Sequence, residues 1–427
     1  MAREPSMKKV LMIAYHYPPF GDGGVFRTLK FTKYLPQFGF QPYILTVKNP
    51  MYTTRDPTLL REIPPEAKVF RVLSFEHRAM RAPRLLNIDL KWFYMPDVNI
   101  GWLPFAFQAG AKIIEKEEID TICVTGPPFT TFLIGYLLKR KTGKPLVLDF
   151  RDPWTDNPFT EYPTKLHEKI EKKMEETIVT HADYIIGAGD SIKHSLIKKY
   201  PFIKSKIDVI TNGFDPDDFK NLKIHEPPTS KFRVTHAGSL YGVRTARPFL
   251  LALKELIEEK PDLRENLEII FVGKYGKETP LLVKNFRLED AVKLIWYISH
   301  TECLELMLNS HALLLLITAK GLQAEGILTG KLFEYLACQR PILAIAPEKG
   351  AAANIIKSLK AGTVVAPDSV QLIKQKIFEF YEKWKQGKLT KMTSDLTKYN
   401  RRFLTQRLAQ IFEKATRSFS DKTQSDC

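Results

Sequence analysis

EGILTGKLFEYLACQRPILAIA, residues 325–346, reads as a turn, a short helix and a buried strand. Thr329 and Gly330 mark the helix start, where free backbone N–H groups can hold an anion. Lys331 and Glu334 stand three residues apart and share one helix face. PILAIA (341–346) then enters the core as a short apolar strand. A carboxylate on a helix that opens at a phosphate-sized site suits a nucleotide-sugar pocket. Its oxygens would hold ribose hydroxyls while the helix end faces the diphosphate. Taken alone, the segment reads equally well as a surface ion pair on a helix with one buried face.

Outward from this stretch, apolar runs alternate with helical patterns along the whole chain. The runs are 10–17, 42–47, 121–126, 145–150, 184–189 and 206–211, then 232–238, 267–273, 292–298, 312–318 and 341–346. Most are near-continuous, as parallel strands covered on both faces require. Helical periodicity falls at 24–38, 104–118, 129–142, 164–181, 190–199, 246–260, 301–309 and 369–386. Repeated β–α units imply parallel sheets with crossovers, hence an α/β protein. TNGFDPDDFKNLKIHEPPTSK (211–231) breaks the rhythm with Asn, Gly, Asp and Pro. It is expected to link two Rossmann-like domains, 1–212 and 232–395, through residues 213–231. A last helix near 396–416 is long enough to pack back on the first domain. Ligands bind outside the carboxyl ends of such strands, so two such domains are expected to face each other across one cleft.

Composition narrows the partners. The 427 residues carry a net charge of +16, which favours something anionic: nucleic acid, a negative bilayer surface or phosphorylated small molecules. The basic residues are dispersed and no nucleic-acid motif accompanies them, so nucleic acid is not expected. The four cysteines have no metal-site or CxxC spacing. Cys123 and Cys338 lie in apolar runs, as buried thiols of a reducing compartment do. No signal peptide and no run long enough to span a bilayer is evident. WFYMPDVNIGWLPFAF (92–107) reads either as an interfacial segment or, more simply, as a loop and helix packed on the first domain.

Three loops carry candidate chemistry. In YHYPPFGDGGVFRTLKF (15–31), Gly23 and Gly24 let the backbone approach a ligand and Arg27 projects from the first helical turn. The pattern is not GxGxxG. In HAGSLYGVRTARPF (236–249), Arg244 and Arg247 precede a helix starting near Pro248, a fitting diphosphate clamp. LDFRDPWTDNP (148–158) ends a strand with Asp149, Arg151 and Asp152, although Asp152 equally suits a turn cap before Pro153. DPDD (215–218) has a DxD look but sits where Asp and Pro mark turns, and no cluster has convincing metal spacing.

Together these segments resemble the GT-B glycosyltransferases of the family-4 type over almost the whole chain. The resemblance rests on PPFGDGGVFR, TGPPFTTFLIGYLLKRKTGKPLVLDFRDPW, ADYIIGAGDSIKHSL, ITNGFDPDDF, GSLYGVR and GKLFEYLACQRPILA, in family order. It implies two Rossmann-like domains and a nucleotide-sugar co-substrate, with no metal and no other cofactor. It also implies site roles. Gly23 and Gly24 would approach the donor diphosphate or the acceptor. Arg244, assisted by Lys331, would neutralise the diphosphate, and Glu334 would bind the donor ribose. Many members carry two glutamates eight positions apart, whereas Glu325 and Glu334 stand nine apart, which weakens Glu325 as a sugar contact. Many also have a histidine where this chain has Arg151 followed by Asp152. A guanidinium is no base at neutral pH, so Arg151 is assigned to acceptor or phosphate and Asp152 to acid/base or orienting work.

The function implied is retaining sugar transfer to a lipid-linked or saccharide acceptor in polysaccharide or glycoconjugate assembly. Its expected place is the cytoplasm, on the inner face of an anionic membrane. Two alternatives stand beside it. One is a sugar-nucleotide epimerase on the same scaffold; the other is a catalytically degenerate binding subunit.

Overall fold

The computed structural model describes residues 7–21, 23–50, 54–75, 94–157, 160, 162–220, 222, 230–240, 244–319, 322–390 and 392–425. The chain divides into two compact units, Met1–Thr211 with Arg401–Cys427, and Asn212–Asn400.

The first unit is built on seven parallel strands: β1 (Lys8–Ile13), β2 (Phe40–Val47), β3 (Lys68–Val72), β4 (Thr121–Gly126), β5 (Leu146–Phe150), β6 (Tyr184–Gly187) and β7 (Ile207–Val209). Their order is β3-β2-β1-β4-β5-β6-β7. The sheet therefore changes winding direction between β1 and β4, which opens a crevice at their carboxyl ends. The second unit has six strands: β8 (Phe232–Ala237), β9 (Leu267–Val272), β10 (Val292–Ile295), β11 (Ala312–Leu316), β12 (Ile342–Ile345) and β13 (Gly362–Val365). Their order is β10-β9-β8-β11-β12-β13, with the winding change between β8 and β11.

Both sheets are sandwiched by helices, which is why their central strands are apolar on both faces. On β1 and β4, Leu11, Ile13 and Val124 pack into one core, while Val10, Met12 and Cys123 pack into another on the opposite face. Each such aliphatic side chain contributes about 1.5–3 kcal/mol relative to exposure. The last helix, Arg401–Ser425, belongs to the first unit. Leu404, Leu408, Phe412 and Ala415 form its buried stripe, at helical spacing. Phe412 meets Phe40 edge to face at 5.4 Å, and the hydroxyls of Thr416 and Thr121 lie 3.1 Å apart. The terminal SFSDKTQSDC, polar as it is, continues this helix as far as Ser425.

Several elements differ from expectation. The helix expected at 24–38 is an α-helix over Val25–Tyr34 that tightens to a 3-10 turn over Leu35–Phe38. Pro36, lacking an N–H, favours that change. Strands β3 and β13 are edge strands with mixed polarity (KVFRV, GTVV), and they lack the continuous apolar signal of central strands. β13 also depends on Gly362. At its φ of +157° a Cβ would sit 1.9 Å from the carbonyl oxygen of Ile342. The helices Glu278–Asn285 and Ala351–Ser358 are short, too brief for periodicity to stand out. In 213–231, Pro216–Phe219 forms a 3-10 turn in which the Asp215 carboxylate accepts from the Asp217 amide. Within the aromatic segment 92–107, residues 98–107 form the 3-10 turn Val98–Trp102 and the start of the helix Leu103–Lys116, with Trp102 fully buried against Tyr15. Among the described residues no helix is long and apolar enough to cross a membrane.

Candidate active site

The residues singled out in sequence fall at the carboxyl ends of the two sheets. In the first unit they are Gly23, Gly24, Arg151 and Asp152; in the second, Arg244, Glu325, Lys331 and Glu334.

In the first unit, the glycine loop after β1 meets the turn after β5. Arg151 donates through Nη1 to the Gly24 carbonyl at 2.8 Å and through Nη2 to the Pro127 carbonyl. It thus braces three loops while remaining half-buried. A Cβ on Gly24 would lie 2.7 Å from Arg151 Nη1 and 3.2 Å from the His16 ring, so any larger residue there would have to push the guanidinium aside. Gly23, by contrast, faces open space and is exposed. His16 was not singled out in sequence. Burial, reinforced by the Arg151 guanidinium, pushes its pKa down to about 3, so it is a neutral imidazole at physiological pH. Asp152 is exposed just beyond β5.

Asp149 and Arg27 have a different role from their neighbours. Arg27 Nε and Nη2 hold the Asp149 carboxylate at 2.8 and 2.7 Å. The same guanidinium donates to the carbonyls of Ile210 and Thr211 at 2.8 and 3.0 Å. Thr125 Oγ1 donates to Asp149 at 2.9 Å. Arg27 is 2% exposed and Asp149 3%. This is an internal brace: Arg27, expected to project from the first helical turn, and Asp149, expected among the strand-end charges of a site, satisfy each other.

Below the 152–157 turn lies a buried acidic layer. Trp154 stacks on Phe129 at 4.9 Å, and Tyr162 donates to Glu171 at 3.3 Å. Glu175 accepts from Lys199 at 2.8 Å and from Tyr200 at 3.1 Å. Burial first, then the nearby carboxylates of Asp97 and Glu175, push the Glu171 carboxyl up from 4.5 to about 7. A carboxyl raised in the folded state contributes stability that is present below its unfolded value and lost as pH rises through about 7. Glu171→Gln is therefore expected to flatten the fall in melting temperature between about pH 4.5 and 7 and to stabilise the protein at pH 8. Parallel melting profiles for variant and parent across that window would refute this.

In the second unit the helix Gly330–Ala337 places its ionic pair as the spacing requires. Lys331 Nζ donates to Glu334 Oε2 at 2.7 Å, and His300 Nε2 lies 3.2 Å from Oε1. Lys331 Nζ is also 3.9 Å from Cys303 Sγ. The Glu334 side chain is only 14% exposed, which excludes the solvated surface pair. Burial by itself would raise the Glu334 carboxyl, but Lys331 and His300 hold it well below the usual carboxylate range. It is ionised at any physiological pH. Beside it, Thr329, the residue preceding the helix, keeps a buried hydroxyl without a hydrogen-bond partner. Arg244 is exposed, and beside it the Thr245 amide donates at 2.9 Å to Thr318 Oγ1, two residues beyond the end of β11. Arg247, offered with Arg244 as a clamp, instead pairs with Glu278 at 3.2 Å. Glu325 ends the short helix Leu322–Glu325, its backbone against Gly350.

His300 and the buried His236 were missed in sequence. Ser299 and Glu302 form a capping box that announces the His300 helix. Nothing local reveals that His300 reaches Glu334, 34 positions away.

Residues 21–218 match the family described as Glycosyltransferase Family 4, and residues 217–403 match Glycosyl transferases group 1. Among curated proteins none matches the sequence. In three dimensions the chain is similar to a glycosyltransferase from Rickettsia africae, with a TM-score of 0.67, 16% identity and coverage of 96% of this chain and 99% of that one. It is similar to WaaG, a glycosyltransferase involved in lipopolysaccharide biosynthesis, with a TM-score of 0.60, 14% identity and coverage of 95% and 98%. Anabaena HepE, solved in complex with UDP, gives a TM-score of 0.57 at 15% identity with coverage of 98% and 100%. With two doubly wound parallel sheets and both family matches in sequence order, the chain belongs to the family-4-like glycosyltransferases of the GT-B fold.

Proposed function

We propose that this glycosyltransferase takes its sugar from a nucleotide-sugar bound by the second unit. The acceptor is a lipid-linked or saccharide molecule in polysaccharide or glycoconjugate assembly, and the anomeric configuration is retained. The observation that carries the donor assignment is the buried Lys331–Glu334–His300 cluster at the start of a helix. A permanently ionised carboxylate there is a strong acceptor for two ribose hydroxyls. Lys331, Arg244 and the helix N-terminus would meet the diphosphate charge, which grows as the leaving group departs. This chain's own cations would do so without a metal or other cofactor. Glu325 would contact the sugar.

In the first unit, Gly23 and the loop held by Gly24 and Arg151 would receive the acceptor or the donor diphosphate. Exposed Asp152 would orient the acceptor or exchange its proton. The pathway is supported by likeness of fold to WaaG, a glycosyltransferase involved in lipopolysaccharide biosynthesis, and rests on that analogy. The net charge of +16 fits a cytoplasmic protein that meets an anionic membrane surface.

Thermal-shift measurements with UDP-, GDP-, dTDP- and ADP-sugars test the donor site. One nucleotide series is expected to stabilise the protein and to lose most of that effect in Arg244→Ala. Equal stabilisation of the variant would remove Arg244 from the site. Conversion of the nucleotide-sugar to its epimer without any acceptor would replace transfer by epimerisation.

A further inference from the structure

The second unit carries a polar group at its winding change that neither the family match nor the donor assignment uses. His236 lies near the carboxyl end of β8, the strand that flanks the winding change with β11. It is 5% exposed. Its Nδ1 is 2.9 Å from the carbonyl oxygen of Leu314 on β11. A carbonyl only accepts, so Nδ1 carries the hydrogen and a neutral ring presents a lone pair at Nε2. That Nε2 is buried and has no hydrogen-bond partner. A buried polar atom left unpaired costs about 1–3 kcal/mol, a penalty that a ligand can relieve.

The surroundings say what kind of ligand. Tyr335, from the helix Gly330–Ala337, approaches the same Leu314 carbonyl at 3.3 Å and fixes that helix against β8 and β11. From β9 the Phe271 ring packs at 5.7 Å and brings no charge. The charged groups acting on the imidazole are Lys331, from the helix, and Arg244, from the loop after β8. Burial, with these two cations, pushes the ring down to about 4. Gly238 is half-buried above Nε2, where a Cβ would stand 3.3 Å away. The absent side chain leaves the backbone there open to a close approach. A lone pair flanked by two cations is set against binding protons while the site is empty, and an anion reverses that balance.

We propose that His236 is a ligand of the donor diphosphate and takes up a proton from solvent as the donor binds. The Nδ1–H bond to Leu314 stays in place, and the new Nε2–H donates to a phosphate oxygen. This rests on the second unit being the nucleotide-sugar site. Glu334 already offsets Lys331, so two phosphate charges set against Arg244 leave a net negative charge that makes a proton on Nε2 favourable. Affinity then rises as pH falls, because the bound state holds one more proton than the free state.

The test is calorimetric titration of the full chain with UDP-, GDP-, dTDP- and ADP-glucose at pH 6, in buffers of differing ionisation enthalpy. Nucleotide-sugars suit it because their diphosphate is a diester with no proton titrating near neutrality. Uptake approaching one proton per bound nucleotide-sugar is expected. His236→Asn keeps an amide donor for Leu314 but cannot titrate. It should bind roughly tenfold more weakly at pH 6, through loss of one charged hydrogen bond, with no proton uptake. Binding by the parent protein without proton uptake, or uptake that survives in His236→Asn, would overturn the proposal while leaving the donor site standing. Absence of binding by all four compounds would overturn the donor site and this inference with it.

Discussion

Asp149→Ala is expected to destabilise the first unit by about 3–5 kcal/mol, the cost of stranding a buried charge by removing its partner. The Arg27 guanidinium would keep the Ile210 and Thr211 carbonyls but lose both short contacts to the carboxylate. Thr125 Oγ1 would lose its acceptor as well. The damage reaches beyond one pair because of what Arg27 joins. It stands on the helix after β1, its carboxylate partner is on β5, and its carbonyl partners follow β7. Three connections at the carboxyl end of one sheet are thus held by a single guanidinium. Replacing both residues with apolar ones of similar volume is expected to recover much of the loss, since such swaps are often neutral. Chemical unfolding of both variants checks this. A loss below about 1 kcal/mol for Asp149→Ala, the range of an exposed pair, would contradict the reading of this network as a buried brace.

For the second unit, Glu334→Ala should weaken nucleotide-sugar binding by about 1–3 kcal/mol through lost charged hydrogen bonds, while the fold persists. The fold is expected to survive because Leu332, Phe333, Tyr335 and Leu336 bury the helix independently of the carboxylate. Lys331 would be left 3.9 Å from a buried thiol with no counter-charge, so a small loss of stability accompanies the loss of affinity. A folded variant with parental affinity would remove Glu334 from the donor site. Solution pH offers a second check on the same carboxylate. Its pKa is depressed, so its contribution to stability is present above the ordinary carboxyl range and disappears only as pH falls well below it.

How much of this was legible in the sequence depends on how local each signal is. The central strands announced themselves because a strand covered on both faces must be apolar throughout. The edge strands β3 and β13 did not, since one side of each is free to be polar. Lys331 and Glu334 were readable because helical geometry brings residues three apart together. His300 and His236 were not, for their partners come from elements 34 and 78 positions away. Charge type misled at Arg27 and Asp149. In sequence a strand-end carboxylate and a helix-start arginine look like ligand-binding groups, and only their mutual burial shows that they satisfy each other. Arg151 lies between these cases. Its position was read correctly as a strand end, but the two backbone carbonyls it holds are visible only in three dimensions.

Whether the second unit binds a nucleotide-sugar through the Lys331–Glu334 helix is decided by a crystal structure with the stabilising nucleoside diphosphate bound. Ribose hydroxyls are expected within hydrogen-bonding distance of the Glu334 carboxylate, with the diphosphate against Lys331, Arg244 and the start of the helix Gly330–Ala337. A nucleotide bound elsewhere, with Glu334 still closed on Lys331 and His300 alone, would contradict it.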